Sequence, residues 1–336
     1  MLAHSPRLQQ RLTPWGLTAF VQQWRTSRSA LSLLLVRLAP GDYASDLFGG
    51  IGANSALVAA TRASYGLDRP LLEQYVAWLG RAARLDFGNS LVYRRPVNEL
   101  LRQRAANTAV LALTALLVAT LIGLPLGVLA GSRRGLVSHT VRAVSIVFLS
   151  VPPLLMTLLL VFLAARTGWL PVGGMRSAAG FRLQASGFSE WTAWARDVAW
   201  HLPVPVLALA LPIAAMLERL LAQSMTETIG APFILSAEAR GVSRRRLVWR
   251  HVLRVALRPI LSVYGLIIGT LLSGSFMVEI ITAWPGLGRL TYDALRGRDV
   301  YLVAGCAAAG GMFLAIGSLI SEAAQAAVDP RLRELT

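Results

Sequence analysis

Lysine is absent from this chain, so all 33 of its basic side chains are arginine. A Walker A phosphate loop requires its lysine, and Schiff-base chemistry requires one as well. The polypeptide therefore cannot by itself be a P-loop ATPase. Cysteine is nearly absent: Cys306 stands alone, which excludes an internal disulfide, and its apolar neighbours suit a small buried residue. Histidine is sparse and scattered (His4, His139, His201, His251), with no pair at the spacing of a helical zinc site. No G-x-S-x-G elbow or paired-cysteine motif occurs, so no catalytic residue, metal site or cofactor is expected. Charge is scarce too. Only 15% of residues are charged, against about a quarter in ordinary soluble domains.

What is there is apolar and lopsidedly basic. Arginine outnumbers the 17 acidic residues to give a formal charge of +16, while mean hydropathy is +0.55. Soluble nucleic-acid binders share the first property but not the second, and nucleic acid is not an expected partner. The composition is that of an all-α polytopic membrane protein.

A helix needs about 20 mostly apolar residues to cross a hydrocarbon core of ~30 Å. Thr108 to Ala130 qualifies without a charge. Ala143 to Ala165 qualifies with Pro152 and Pro153 inside it, a pair that should kink the helix or mark a locally unwound turn. Leu202 to Leu217 needs extension through Glu218 and Arg219, which then mark a cytoplasmic helix end, as does Glu322. Pro259 to Thr282 is rich in small residues, and Gly265, Gly269 and Gly274 would let helices approach closely. Tyr301 to about Val328 completes five well-supported crossings.

The N-terminal stretch is degenerate. Gln22, Gln23, Arg25 and Arg28 divide the apolar Leu17–Val21 from Ala30–Val36, and a central Arg costs about 2.5–3.5 kcal/mol on the insertion scale. It either crosses with its arginines received by neighbouring helices or lies at the interface as an amphipathic helix. Counting it gives about six crossings. Arginine in short links sets the orientation. Gly131–Arg142 and the far more basic 225–258 belong on the cytoplasmic side, with both termini cytoplasmic if the first helix crosses. The expected organisation is residues 1–40 as cytoplasmic terminus and weak first helix, 41–107 as an extracytoplasmic helical segment, and 108–336 as the membrane core. Within 41–107, Pro70 opens an amphipathic helix with Leu72, Tyr75, Val76 and Leu79 on one face, and Pro96 opens another through Val97, Leu100 and Leu101.

The link 225–258 carries most of the information. Ala231 to Gly241 reads A-P-F-I-L-S-A-E-A-R-G, with Pro232 placed for a first helical turn and Gly241 for a left-handed cap. The resulting helix of about ten residues is too short to stand alone in water, so it must dock. Ser243 can cap a second helix, in which Arg246, Arg250 and Arg254 form a stripe beside Leu247, Val248, Val252 and Leu253. Anionic lipid headgroups account for the arginines. They do not account for a short capped helix held between two crossings, which suits a partner's groove. Glu279 is a candidate pathway residue, because an acid inside a membrane segment is functional by default. The alternative is that it pairs with Arg289. Pro152, Pro153 and Trp284 complete the pathway candidates.

The chain resembles the inner-membrane permease subunits of ABC importers of the dipeptide/oligopeptide/nickel class. The likeness is carried by L-x-R-L-A-P-G-D (Leu35 to Asp42), G-L-D-R-P-L (Gly66 to Leu71), E-Q-Y-V-A-W-L (Glu73 to Leu79) and L-D-F-G-N-S (Leu85 to Ser90). It continues through G-L-P-L-G-V-L-A (Gly123 to Ala130), S-V-P-P (Ser150 to Pro153) and G-W-L-P-V-G-G (Gly168 to Gly174). S-A-E-A-R-G-V-S (Ser236 to Ser243), R-H-V-L-R-V-A-L-R-P (Arg250 to Pro259), W-P-G-L-G-R-L (Trp284 to Leu290) and D-P-R (Asp329 to Arg331) complete the series.

The resemblance implies a type I ABC importer transmembrane domain whose short cytoplasmic helix couples to an ATPase. Gly241 takes the glycine of that loop, Ala237 its second alanine and Ser236 its first. The acidic position falls on Leu235, so Glu238 is not the motif glutamate. Ala239, Arg244 and Arg250 belong to the same coupling region. The interrupted first helix departs from the family's uninterrupted apolar run. The implied partners are a second, non-identical permease subunit, two ATP-binding subunits, an extracytoplasmic substrate-binding protein and membrane lipid. The implied place is the bacterial inner membrane, and the implied cargo is a peptide or similar small solute. A secondary transporter or channel driven by an ion gradient is the alternative, although such proteins often show internal repeats and none is evident.

Overall fold

The computed structural model describes residue 59 and residues 70–82, 84, 86–133, 135–177 and 188–328. The degenerate first helix and the D-P-R motif lie outside them. The described elements are α1 (Leu71–Ala82), α2 (Val97–Ser132), α3 (Leu136–Ser150), α4 (Pro153–Thr167), α5 (Phe188–His201), α6 (Pro203–Ile229), α7 (Pro232–Ala239), α8 (Leu253–Gly274), α9 (Phe276–Ile281), α10 (Leu287–Arg296) and α11 (Val300–Val328). Between α7 and α8 come one helical turn, Arg244–Arg246, and a π-helical stretch, Leu247–Val252. The only β contact among the described residues is an isolated bridge between Asn89 and Pro96.

Val97–Ser132, Pro203–Ile229, Arg244–Leu271 and Val300–Gly317 are each long and apolar enough to cross a membrane. The expected crossing through Pro152 and Pro153 is not one helix. It is broken into α3 and α4, which meet at 100°. Val151, held before a proline, is extended at φ −86°, ψ 118°, as the pyrrolidine ring requires of its predecessor. Pro153 then opens α4, where its missing N–H costs nothing. Two further boundaries differ from expectation. Pro259 lies inside α8, and Ser275 interrupts the run before α9, so the crossing begins and ends earlier than Pro259–Thr282. α6 runs on to Ile229, which leaves Glu218 well inside the helix rather than at its end.

The described residues form two compact units. One comprises the described residues up to Asn107 together with Gly286–Ala315. In it Val97, Leu100 and Leu101 pack with Leu287, Leu290, Ala294, Leu302, Val303 and Cys306. Trp78 and Ala82 of α1 pack with Val300, Ala304 and Ala308. Leu79 of the expected face packs against this cluster, whereas Val76 is 59% exposed. Asp299 is fully buried and ties this unit together. Its carboxylate accepts from the Ser90 hydroxyl at 2.5 Å and from the backbone N–H groups of Val92 and Leu302 at 3.1 Å each.

The other unit comprises Thr108–Pro285 and the residues from Ile316 onward, and is built around α6. Gly123, Gly127 and Gly131 form a four-residue ladder on α2 where that helix presses on α6. A Cβ on Gly127 would sit 2.8 Å from the Leu221 Cβ and 3.0 Å from the Glu218 carbonyl oxygen, and one on Gly123 would sit 2.6 Å from the Ala214 carbonyl oxygen. Such backbone approach is what joins apolar helices in lipid, where no water drives them together. Of the three glycines expected to do this in α8, Gly269 does, lying against Gly317 beside the Gly265 carbonyl, whereas Gly274 faces open space. Polar groups close the end of α2. The Ser138 hydroxyl and an Arg142 Nη donate to the Ala130 carbonyl, and an Arg244 Nη donates to that of Ser132 at 3.2 Å, satisfying carbonyls that a helix end leaves without intrahelical partners.

Candidate functional site

The link after α6 folds as a rooted rod. Ala231 is extended at φ −71°, ψ 143°, and Pro232 starts α7. Ile234 and Ala237 are buried, packed in a cluster with Met225, Leu247, Val248 and Val252. A helix of eight residues gains its stability from that contact rather than from its own hydrogen bonds. It ends as the glycine predicts. Gly241 takes φ +81°, its N–H donates to the Glu238 carbonyl at 2.9 Å, and the Val242 N–H donates to that of Ala237 at 3.3 Å. This paired Schellman arrangement is one that a residue with a Cβ adopts poorly.

Among the described residues, none covers the opposite face of α7. Phe233 and Leu235 are 51% and 54% exposed, and Ser236, Glu238 and Ala239 are exposed beside them. The Ser236 hydroxyl is turned back to the Pro232 carbonyl. Ser243 stands in the capping position, yet its side chain makes no cap bond. The expected regular arginine stripe also starts differently, because π-helical turns run through Leu247–Val252. Arg246, Arg250 and Arg254 are all exposed nonetheless, while Leu247, Val248 and Val252 are buried. Arg244 is committed to the end of α2.

Glu279 is fully buried, and its carboxylate accepts from the Thr108 hydroxyl at 2.8 Å and the Ser275 hydroxyl at 2.9 Å. Trp284 is fully buried. Pro152 and Pro153 form the break between α3 and α4. The G-W-L-P-V-G-G motif meets the end of α9, where the Gly174 N–H donates to the Thr282 carbonyl at 2.7 Å.

A cavity of about 430 Å³ opens elsewhere, lined from α3 by Arg142, Ser145 and Ile146 and from α6 by Glu218, Arg219 and Gln223 among others. None of the four expected pathway residues lines it. Glu218 is 1% exposed, and among the described residues neither of its carboxylate oxygens has a hydrogen-bond partner. By sequence Glu218 is expected to be a helix-end acid. The available signal was an acid following the apolar run 202–217 on a helix that continues to Ile229.

Among the described residues, four helices long and apolar enough to cross a membrane, with a short Gly-capped helix between two of them in sequence, define a polytopic membrane protein. The chain belongs to the family described as binding-protein-dependent transport system inner membrane component, which matches residues 123–334. It is a permease of the ABC importer class and a component of the inner membrane. It is 31% identical to the oligopeptide transport system permease protein AppB of Bacillus subtilis, across 90% of this chain and 93% of that protein. The dipeptide transport system permease protein DppB of Escherichia coli K12 is 32% identical over the same shares. The di/tripeptide transport system permease protein DppB of Pseudomonas aeruginosa is 35% identical over 81% of this chain and 84% of its own length. A solved structure of the MetNI methionine ABC transporter in an inward-facing conformation aligns with 70% of this chain and 96% of that one, at 20% identity and a TM-score of 0.49. Family membership sets aside an ion-gradient carrier or channel.

Proposed function

We propose that this chain, paired with a second and non-identical permease subunit, forms the translocation pathway for peptides, and that α7 is the helix through which ATP-binding subunits drive it. The observation that carries the reading is the two-sided character of α7: Ile234 and Ala237 root it in this chain, while Phe233 and Leu235 stand out of it. A helix gripped on its free face and fixed on the other transmits displacement to the helices on either side in sequence. For ATP to bias the pathway, the ATPase pair must hold two permease states with different affinity. Burial of Phe233 and Leu235 in only one of those states would supply that difference. No lysine is present for a phosphate loop, so ATP hydrolysis is assigned to the partners.

Peptide cargo is supported by the printed names of the relatives, and an extracytoplasmic binding protein would deliver it. In this reading α7 and the arginine-rich turns after it face the cytoplasm, where anionic lipid suits Arg246, Arg250 and Arg254. Both termini share that side, residues 41–107 lie outside and residues 108–336 form the transport core. The test is copurification: the tagged chain solubilised from its native membrane should bring down a Walker-A-bearing protein, and Phe233→Asp with Leu235→Asp should release it. Recovery of the wild-type chain without any such ATPase would defeat the reading.

A further inference from the structure

We propose that the cavity beside Glu218 is a binding site for the ammonium group of a transported solute, with the Glu218 carboxylate as its counter-ion. This rests on the permease reading and adds to it a residue and a cargo chemistry. Both oxygens of Glu218 are buried without a partner, a strongly unfavourable state for an ionised carboxylate. In a membrane helix such an acid marks a route for solute or ion when it faces a cavity, and Glu218 lines one of about 430 Å³. That size is within the range of small-ligand sites.

The other polar groups on the wall show what is missing. The Gln223 amide already donates to Glu227 at 3.1 Å, and an Arg142 Nη already donates to the Ala130 carbonyl. Glu218 alone among the acids lining the cavity has no donor. An ammonium carries three N–H donors and no acceptor, so one group can serve both oxygens. Arg142 and Arg219 on the same wall favour a solute that also carries a carboxylate. A zwitterion therefore fits this wall better than a simple cation does. The rival counter-ion is an arginine from a second permease subunit. The acetylated competitor below separates the two sources, since an arginine donor would leave dialanine and N-acetyl-dialanine competing equally.

The test uses the assembled complex, with whatever subunits copurify, in lipid nanodiscs without any external binding protein. Radiolabelled dialanine is the probe and N-acetyl-dialanine the competitor. Wild type should retain dialanine, Glu218→Gln should weaken retention by roughly tenfold or more, and Glu218→Asp should stay within about threefold, since only the first removes the charge-assisted bond. N-acetyl-dialanine, lacking the ammonium, should compete at least roughly tenfold more weakly than unlabelled dialanine. Absence of wild-type binding, equal binding by Glu218→Gln, or equal competition by the acetylated compound would each overturn the assignment. Should Glu218→Gln fail to assemble, Thr226→Trp narrows the cavity from an exposed position, and unchanged dialanine binding in that variant would overturn it as well. Copurification of the ATPase reports on the permease reading separately, so the two failures are distinguishable.

Discussion

The Thr108 hydroxyl donates to the Glu279 carboxylate at 2.8 Å, bridging 171 residues of sequence between α2 and α9. With Ser275 donating to the same oxygen, Oε1, an acid inside an apolar run becomes a fixed joint. Thr108→Val removes one donor from a fully buried carboxylate, which should cost about 1–3 kcal/mol. Thr108→Ser should restore most of it. Thermal unfolding of the purified complex reads the difference, and an unchanged midpoint in the valine variant would remove the joint.

The rooted face of α7 makes a second expectation. Ala237 is 6% exposed, so Ala237→Arg drives a guanidinium into a packed cluster. Gly241→Pro forbids φ +81° and deletes the N–H that closes the helix on Glu238. Uptake should be abolished in both while the amount of chain in the membrane fraction stays near wild type. Normal uptake by both variants would end the assignment of α7 as the coupling helix.

Close approach along α2 predicts a steep size limit. Gly127→Leu puts a branched side chain where even a Cβ meets Leu221 and the Glu218 carbonyl within 3.0 Å. Overpacking costs of about 1–3 kcal/mol or more follow, and the chain should fail to accumulate in the membrane. Gly230, at φ −79° with nothing nearer than 3.7 Å, should accept alanine without loss. Immunoblots of membrane fractions from the two variants decide it.

Asp299 gives a prediction confined to its own unit. Asp299→Ala leaves the Ser90 hydroxyl and two backbone N–H groups without their acceptor, at a cost of about 1–3 kcal/mol per buried group left unmet. The segment 86–96 should become sensitive to added protease while α7 and its contacts are unaffected. Equal resistance in the variant and the wild type would show that the carboxylate is dispensable there.

The short helix was legible because its determinants are local. Proline sets φ at a helix start, glycine permits φ above zero at its end, and both are visible as letters in the right order. The break at Pro152 and Pro153 was legible for the same reason, though the 100° between its arms was not. On α1 the periodicity placed Leu79 at the interior, where it packs, but also Val76, which is exposed; packing against Val300 and Ala304 brings Trp78 inside instead. Ser243 looked like a cap because its residue type suits one, yet a hydroxyl bonds where its rotamer and neighbours allow. The two membrane acids show the limit most clearly. Glu279 attracted the functional reading and accepts from two hydroxyls, whereas Glu218 was passed over and is buried without a donor among the described residues.

Sequence alone settled that this is an apolar, all-helical chain without lysine chemistry, with a docked rod between two crossings, since composition, period and cap residues act over a few neighbouring positions. Tertiary structure decided which acid is satisfied and which is not, which glycines touch a neighbour, and which side of the rod is free. Those outcomes depend on what residues from about ten to 171 positions away bring to the same point in space, and a side chain's partners there cannot be read from its own segment.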